Sequence, residues 1–363
     1  MAYWPRPLKK PRKLNVGDRV AVVTPCWGGP ACLPHRFEAG TRYLAEEFGL
    51  EVVLMPHACK PVDWLDRNPE ARADDVMDAF ADRSVSAVIA SIGGDDCIRL
   101  LPYLDLDLIA ENPKVLLGYS DVTVLHFACL KAGVTSIYGP TVMAGFAENG
   151  GMHAFTKDAI RQVLFSSEPP GKLPRNTEGW TDERLSWAVP GNQSRKRRLH
   201  PAAPPRLWQG SGRSRGPLIG GCAEVLEMIK GTELWPPLDI WSGAILFYET
   251  SEEAPAPSTV ARWLRNFGAQ GILGVLAGVI VGRPGGGVPS DRQDDYGAAM
   301  AKVLTEYGAE RLPLVTGLDF GHTDPMTLLP YGVAAEIDCD DVSISLLEAA
   351  VGDAEGKPAG ASG

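Results

Sequence analysis

Between Asp18 and Tyr138 the chain alternates strand-length apolar runs with segments of helical period, and this alternation constrains the fold more than any other feature of its 363 residues. Arg19–Thr24, Glu51–Met55, Ala87–Ser91, Val115–Leu117 and Thr135–Tyr138 read as strands. Among the segments between them, Pro34–Phe48 sets Phe37, Leu44 and Phe48 on one helical face, and Pro69–Ala81 does so with Ala73, Val76, Met77 and Phe80. Cys97–Leu101 reads as a short helix. A βαβα order of this kind predicts a doubly wound, mostly parallel sheet, with ligands bound beyond the carboxyl ends of its strands. Two features stand at such ends: Gly93-Gly94-Asp95-Asp96 after the third run, and Ser120 after the fourth.

At about 150 residues per domain, the length predicts two domains. Residues 14–142 form the first, and 217–350 a second α/β domain with a mixed sheet. In the second, Gly220-Gly221-Cys222 opens a helix through Ile229, and Ala244–Tyr248 is a strand. Ser258–Phe267 is a helix, Val275–Val281 and Pro313–Thr316 are strands around a helix over Tyr296–Tyr307, and Val333–Ile337 with Val342–Leu346 is a hairpin. Residues 143–216 are rich in Pro, Gly, Arg and Trp and weak in periodicity, with one helix over Thr156–Phe165, and read as a linker and functional loop. This segment carries Trp180 and Trp187, whose rings either pack on the domain or face a ligand. The small, polar tail from 351 to 363 reads as disordered.

Charge and composition narrow the function. The formal charge of -10, from 45 acidic and 35 basic residues, argues against a nucleic acid polymer as partner, and the basic run Arg195-Lys196-Arg197-Arg198 reads as a solvated face. Seven scattered Cys without a C-x-x-C pair suggest reduced thiols in a cytoplasmic protein. The basic N-terminus is broken by prolines and lacks the apolar core of a signal peptide, and no apolar run is long enough to span a bilayer. Gly28-Gly29-Pro30 is no dinucleotide fingerprint, and the His residues show no metal-binding spacing, so neither a nucleotide cofactor nor a metal is expected.

Ser120 falls between the strand Val115–Leu117 and a helical repeat of Val124, Leu125 and Ala128, on a tight turn beside free helix-start amides. A serine there also suits a plain helix N-cap. Glu249 directly follows the strand Ala244–Tyr248, where a carboxylate is commonly just solvated, and His322 lies in the loop Asp319–Pro325, where a histidine is commonly a surface group. Combined, the three supply acyl-transfer chemistry: a hydroxyl to attack, an imidazole to take its proton, and a carboxylate to fix the imidazole's tautomer. The order Ser, Glu, His matches α/β-hydrolases, but the Gly-x-Ser-x-Gly elbow is absent because Val122 replaces its second Gly.

Gly118-Tyr119-Ser120-Asp121, Ser91-Ile-Gly-Gly94, Pro217-Leu-Ile-Gly-Gly221, Leu246-Phe-Tyr-Glu-Thr-Ser-Glu252, and Gly321-His322 with Leu329-Pro-Tyr-Gly332 resemble the landmarks of the LD-carboxypeptidase and microcin C immunity serine peptidases. The resemblance runs from about Gly17 to Leu347. It implies a flavodoxin-like or amidotransferase-like N-terminal domain carrying Ser120, and a smaller, swivelling C-terminal domain carrying Glu249 and His322. It also implies an oxyanion hole from the Gly94 and Asp121 amides, with Gly93 beside the substrate, and a cytoplasmic homodimer without metal or cofactor. One branch removes the terminal D-alanine of the murein tetrapeptide; the other hydrolyses aminoacyl- or peptidyl-nucleotide conjugates. The chain resembles the second more closely, through Glu249-Thr-Ser-Glu-Glu-Ala-Pro255 and the loop Trp180–Trp187, whose Trp residues would stack on a nucleobase. Where the family usually has Gly-Gly-Asn, this chain has Gly220-Gly221-Cys222, which exchanges an amide for a weakly donating thiol at a substrate-side position.

Overall fold

The computed structural model describes residues 8–353. Its first sheet contains β1 (Arg19–Val23), β2 (Glu51–Leu54), β3 (Val85–Ala90), β4 (Val115–Gly118) and β5 (Ile137–Tyr138), in the spatial order β2-β1-β3-β4-β5, these five parallel to one another. This is the flavodoxin-like order, whose switch point lies between β1 and β3. β1 and β4 are almost wholly buried, as expected of strands with helices on both faces. The flanking helices Pro34–Phe48 and Pro69–Ala81 both start on a proline, whose missing N–H costs nothing in the first turn.

The second sheet has eight strands: β6 (Gly171–Lys172), β7 (Arg206–Gln209), β8 (Arg213–Cys222), β9 (Ile245–Glu249), β10 (Gly278–Gly282), β11 (Leu314–Leu318), β13 (Ala334–Asp338) and β14 (Ser343–Leu346), preceded in chain order at its end by β12 (Leu329–Pro330), which belongs to the first sheet. β8 to β11 run parallel in sequence order, and β7, β13, β14 and β6 add antiparallel margins. The expected mixed sheet is therefore present. Residues 143–216 hold the one helix expected there, at Ala154–Leu164, and beyond that expectation also supply β6, β7 and the start of β8. β12 pairs antiparallel with β5, so the C-terminal half returns one strand to the N-terminal sheet and draws β9 towards the end of β4. The start of the expected disordered tail is ordered: Arg12 bridges Gly352, the Lys13 amide donates to the Gly352 carbonyl, and Val351 is buried. The rest of that tail lies outside the described residues. Among the described residues, no helix is long and apolar enough to cross a membrane.

Candidate active site

The backbone after β4 turns at Ser120 with φ +63°, a conformation unusual for a residue with a side chain, and enters a short 3-10 turn ahead of the helix Thr123–Ala132. The Ser120 hydroxyl caps neither the turn nor the helix. Its partner is His322, whose Nε2 lies 3.1 Å from Ser120 Oγ. On the far side of the ring, His322 Nδ1 is 2.7 Å from Glu249 Oε2. Glu249 is fully buried at the end of β9 and His322 nearly so, in the loop after β11. Two glycines make the approach possible: a Cβ on Gly321 would fall 2.6 Å from Glu249 Oε2, and one on Gly93 would fall 2.9 Å from Ser120 Cβ.

Sequence reasoning missed Tyr138, at the end of β5. Its hydroxyl donates to Glu249 Oε1 and accepts the Ser120 amide at 3.1 Å, bridging that carboxylate and the Ser120 turn. Burial, and then Glu249, hold that hydroxyl's pKa well above its usual value, which keeps the proton available to donate. With the Ser120 amide occupied, the Gly94 and Asp121 amides remain without a protein acceptor among the described residues. The loops bearing them are tied together, because Asp121 Oδ2 accepts from the amides of Asp96 (3.0 Å) and Cys97 (2.8 Å). Burial pushes the Asp121 carboxyl up to about 6. For His322, burial lowers the pKa, but Glu249 and then Glu252 and Glu224 outweigh it and carry the ring up to about 9.

The Ser120–His322 pair opens on a cleft of about 600 Å³, floored by Gly93 and Gly94 and roofed by residues 182–187. Trp187 faces it, with the Arg36 guanidinium 3.8 Å above its ring. Trp180 does not reach it. That indole is buried, stacked on His200 with centroids 4.4 Å apart, and lines a separate cavity of about 370 Å³ beneath the end of β10. Cys222 is buried behind Ser120, Glu249 and His322 rather than in the cleft wall, and its thiol donates to Glu224 Oε2 at 3.3 Å. Within the basic run, Arg197 is largely shielded and paired: it binds Glu148 at 2.6 Å and Asp324 at 2.5 Å, pinning the roof to the His322 loop. Nothing in four consecutive basic residues distinguishes that one from its neighbours.

Two trios bring potential metal ligands within 4.8 Å: Cys26, Cys97 and Asp121, and Cys222, Glu249 and His322. Burial raises the thiol pKa in each, which favours hydrogen-bonded thiols over thiolate ligands. Both ring nitrogens of His322 already have partners.

Family models for the LD-carboxypeptidase N-terminal domain and C-terminal domain match residues 20–139 and 215–337, more than half of the chain together. The microcin C7 self-immunity protein MccF of Escherichia coli is 29% identical over 345 residues, covering 92% of this chain and 94% of that protein. A probable murein peptide carboxypeptidase of Bacillus subtilis is 28% identical over 346 residues, 94% of this chain and 95% of that one. Among solved structures, an MccF-like protein from Streptococcus pneumoniae in complex with AMP superposes with a TM-score of 0.81 at 30% identity, covering 91% of this chain and 98% of that one. MccF in complex with aspartyl sulfamoyl adenosine gives 0.82 at 25% identity, over 94% and 99% of the two chains. With two matched domain models and likeness along nearly its full length, the chain belongs to the LD-carboxypeptidase family of serine peptidases.

Proposed function

We propose that this peptidase hydrolyses the amide-type bond of aminoacyl- or peptidyl-nucleotide conjugates. Ser120 Oγ attacks the carbonyl while His322 Nε2 takes its proton, and Glu249 holds the imidazole through Nδ1. The oxyanion is received by the Gly94 and Asp121 amides, the pair left open beside Ser120. His322 then returns the proton to the leaving amine, and water enters by the same base to release the acyl group from Ser120. The observation that carries this reading is the unbroken Glu249–His322–Ser120 chain at the floor of a cleft whose opposite wall is the Trp187 ring. Trp187 would receive the nucleobase, in line with the AMP and aspartyl sulfamoyl adenosine held by the structurally similar proteins. By the same likeness, the protein acts as a cytoplasmic homodimer, which sedimentation of the purified chain checks.

Removal of the terminal D-alanine from a murein tetrapeptide is the second reading, motivated by the Bacillus subtilis relative. Mass spectrometry of separate reactions with aspartyl sulfamoyl adenosine and with the tetrapeptide decides between them, with Ser120→Ala as the control. Cleavage of the conjugate alone is expected. D-Alanine release from the tetrapeptide alone overturns the nucleotide reading and returns the chain to cell-wall chemistry.

A further inference from the structure

His322 Nε2 has a carboxylate beside it as well as the hydroxyl that the reaction needs. Ser120 Oγ lies at 3.1 Å and Glu252 Oε2 at 3.2 Å. A neutral ring donating from Nδ1 to Glu249 would hold its Nε2 lone pair next to the Glu252 carboxylate, which is repulsive. With one carboxylate oxygen 2.7 Å from Nδ1 and another 3.2 Å from Nε2, the surroundings favour the imidazolium, its Nδ1 directed to Glu249 and its Nε2 to Ser120 Oγ. In that state the ring cannot accept the Ser120 proton. The groups around it explain the preference: Glu249 from β9, Glu252 from the loop after it, Glu224 behind Cys222, the Tyr119 ring at 4.9 Å, and Asp324 from its own loop. The nearby cations do not offset them. Arg197 is held by Glu148 and Asp324, Arg36 lies on Trp187, and Arg184 donates to the Glu252 carbonyl rather than its carboxylate.

Glu252 is thus an acid facing the cleft, its side chain 58% exposed, with His322 as its one ion-pair partner among the described residues. Its backbone is fixed all the same. Ser251 on one side is bound through N–H and hydroxyl to Glu224, and Gly286 packs under the Glu252 carbonyl. Glu253, Asp95 and Glu183 line the same cleft and add negative charge. The chemistry that complements such a carboxylate, one side chain away from the nucleophile, is a primary ammonium. We propose that Glu252 is the receptor for a free amino group on the acyl portion of the substrate, and that pairing with this ammonium withdraws Glu252 from His322 and frees the ring to act as base. The proton leaves Nε2 for solvent through the open cleft, and the substrate ammonium replaces the imidazolium as the cation beside Glu252. The proposal rests on Ser120 being the nucleophile of an amidase. It adds a substrate class, acyl groups with an unblocked amine, and a role for Glu252 in specificity and in positioning.

Two measurements test it. The first, in the absence of substrate, is the ¹⁵N titration of His322 in the wild type and in Glu252→Gln; the variant is expected to titrate about one pH unit lower or more. An unchanged titration overturns the coupling between the two groups. The second compares hydrolysis of aminoacyl p-nitroanilides with free and with N-acetylated amines. The wild type is expected to favour the free amine by about tenfold or more, and Glu252→Gln to lose that preference while still cleaving the acetylated substrate. Hydrolysis without amine preference in the wild type, or a preference that survives in Glu252→Gln, overturns the amine receptor alone. If the wild type cleaves neither anilide, nor the aspartyl sulfamoyl adenosine conjugate, the amidase reading falls and the amine receptor falls with it.

Discussion

The floor and the roof of the cleft are built on different principles. In the floor, Ser120, Tyr138, Glu249 and His322 arrive at the ends of strands or in the loop after one, from both sheets, and hydrogen-bond to one another directly. Each is placed by backbone that the sheets hold on both sides. The roof, residues 182–187, hangs on a few anchors: the Arg197 ion pairs, the mutual backbone bonds of Thr181 and Asp324, and the stack of Arg36 on Trp187. On the proposed function, chemistry is therefore fixed by the fold, whereas recognition depends on a segment held by a few anchors. If this division is correct, changes in the floor should remove turnover without moving the roof, and changes in the roof should alter binding or stability without altering the chemical step.

The largest expected effect is in the floor. Ser120→Ala removes the attacking atom and keeps the backbone, so turnover of any substrate should drop by about 10⁴-fold or more, with binding of the unreacted conjugate retained. Stopped and continuous assays, with calorimetric binding to the variant, check both halves. Measurable residual turnover above ~1% would remove Ser120 from the mechanism and dissolve the contrast.

Arg197→Ala attacks the other side. Glu148 would be left as a buried carboxylate and Asp324 as a half-buried one without their cation, and breaking a buried pair costs about 3–5 kcal/mol, an upper bound here. Chemical denaturation should register that loss. Turnover of a small anilide that needs no roof should fall far less than turnover of the full conjugate. Equal losses would mean that Arg197 holds the floor as well, through the His322 loop.

The protonation state of His322 gives a third, smaller effect. With its pKa raised to about 9, the free enzyme at neutral pH holds the ring as imidazolium, which is the wrong state for a base. For a substrate without an amine, kcat/KM should therefore rise about tenfold per unit from pH 7 and level off near 9. Stability moves the opposite way: a histidine whose pKa is raised by folding contributes fully below its unfolded value and loses that contribution as pH climbs through the folded one. The melting temperature should therefore decline over the window in which kcat/KM climbs. A flat rate profile would indicate that the base form is already present.

Much of the floor is legible in the sequence. Parallel strands buried on both faces read as apolar runs, so β1, β3, β4 and β9 announce themselves, and residues just beyond their ends become candidates. The family landmarks bring Ser120, Glu249 and His322 forward. β8 is harder, because Gly216, Pro217 and Gly220 read as breakers, although a Cβ on Gly220 would lie 1.7 Å from the Phe247 carbonyl of the adjoining strand. Tyr138 reads as core because its ring is core; only its hydroxyl does otherwise. Glu252 belongs to a quoted landmark, but its contact with His322 joins residues 70 apart through side-chain reach, which periodicity cannot express. Trp180 and Trp187 are the clearest limit. They sit on one loop with the same composition around them, and only the partners that folding supplies separate them.

Those two indoles carry the smallest and most selective test of floor against roof. Trp187 is partly exposed, faces the cleft and presents its ring across from Ser120, so Trp187→Ala should weaken binding of a nucleotide conjugate by about 1–3 kcal/mol, the worth of one stacked base. The rate of the bound complex should stay close to that of the wild type, since no floor atom touches the indole. Trp180 is buried against His200 and below Arg283, so Trp180→Ala should leave a cavity and cost about 3–5 kcal/mol of stability, with little change in KM where the variant is folded. Measuring KM, kcat and the denaturation midpoint for both variants separates the roles. If Trp180→Ala were instead to raise KM as much as Trp187→Ala, the loop would be acting as one rigid unit, and recognition would depend on the packing beneath the roof as much as on the ring that faces the substrate.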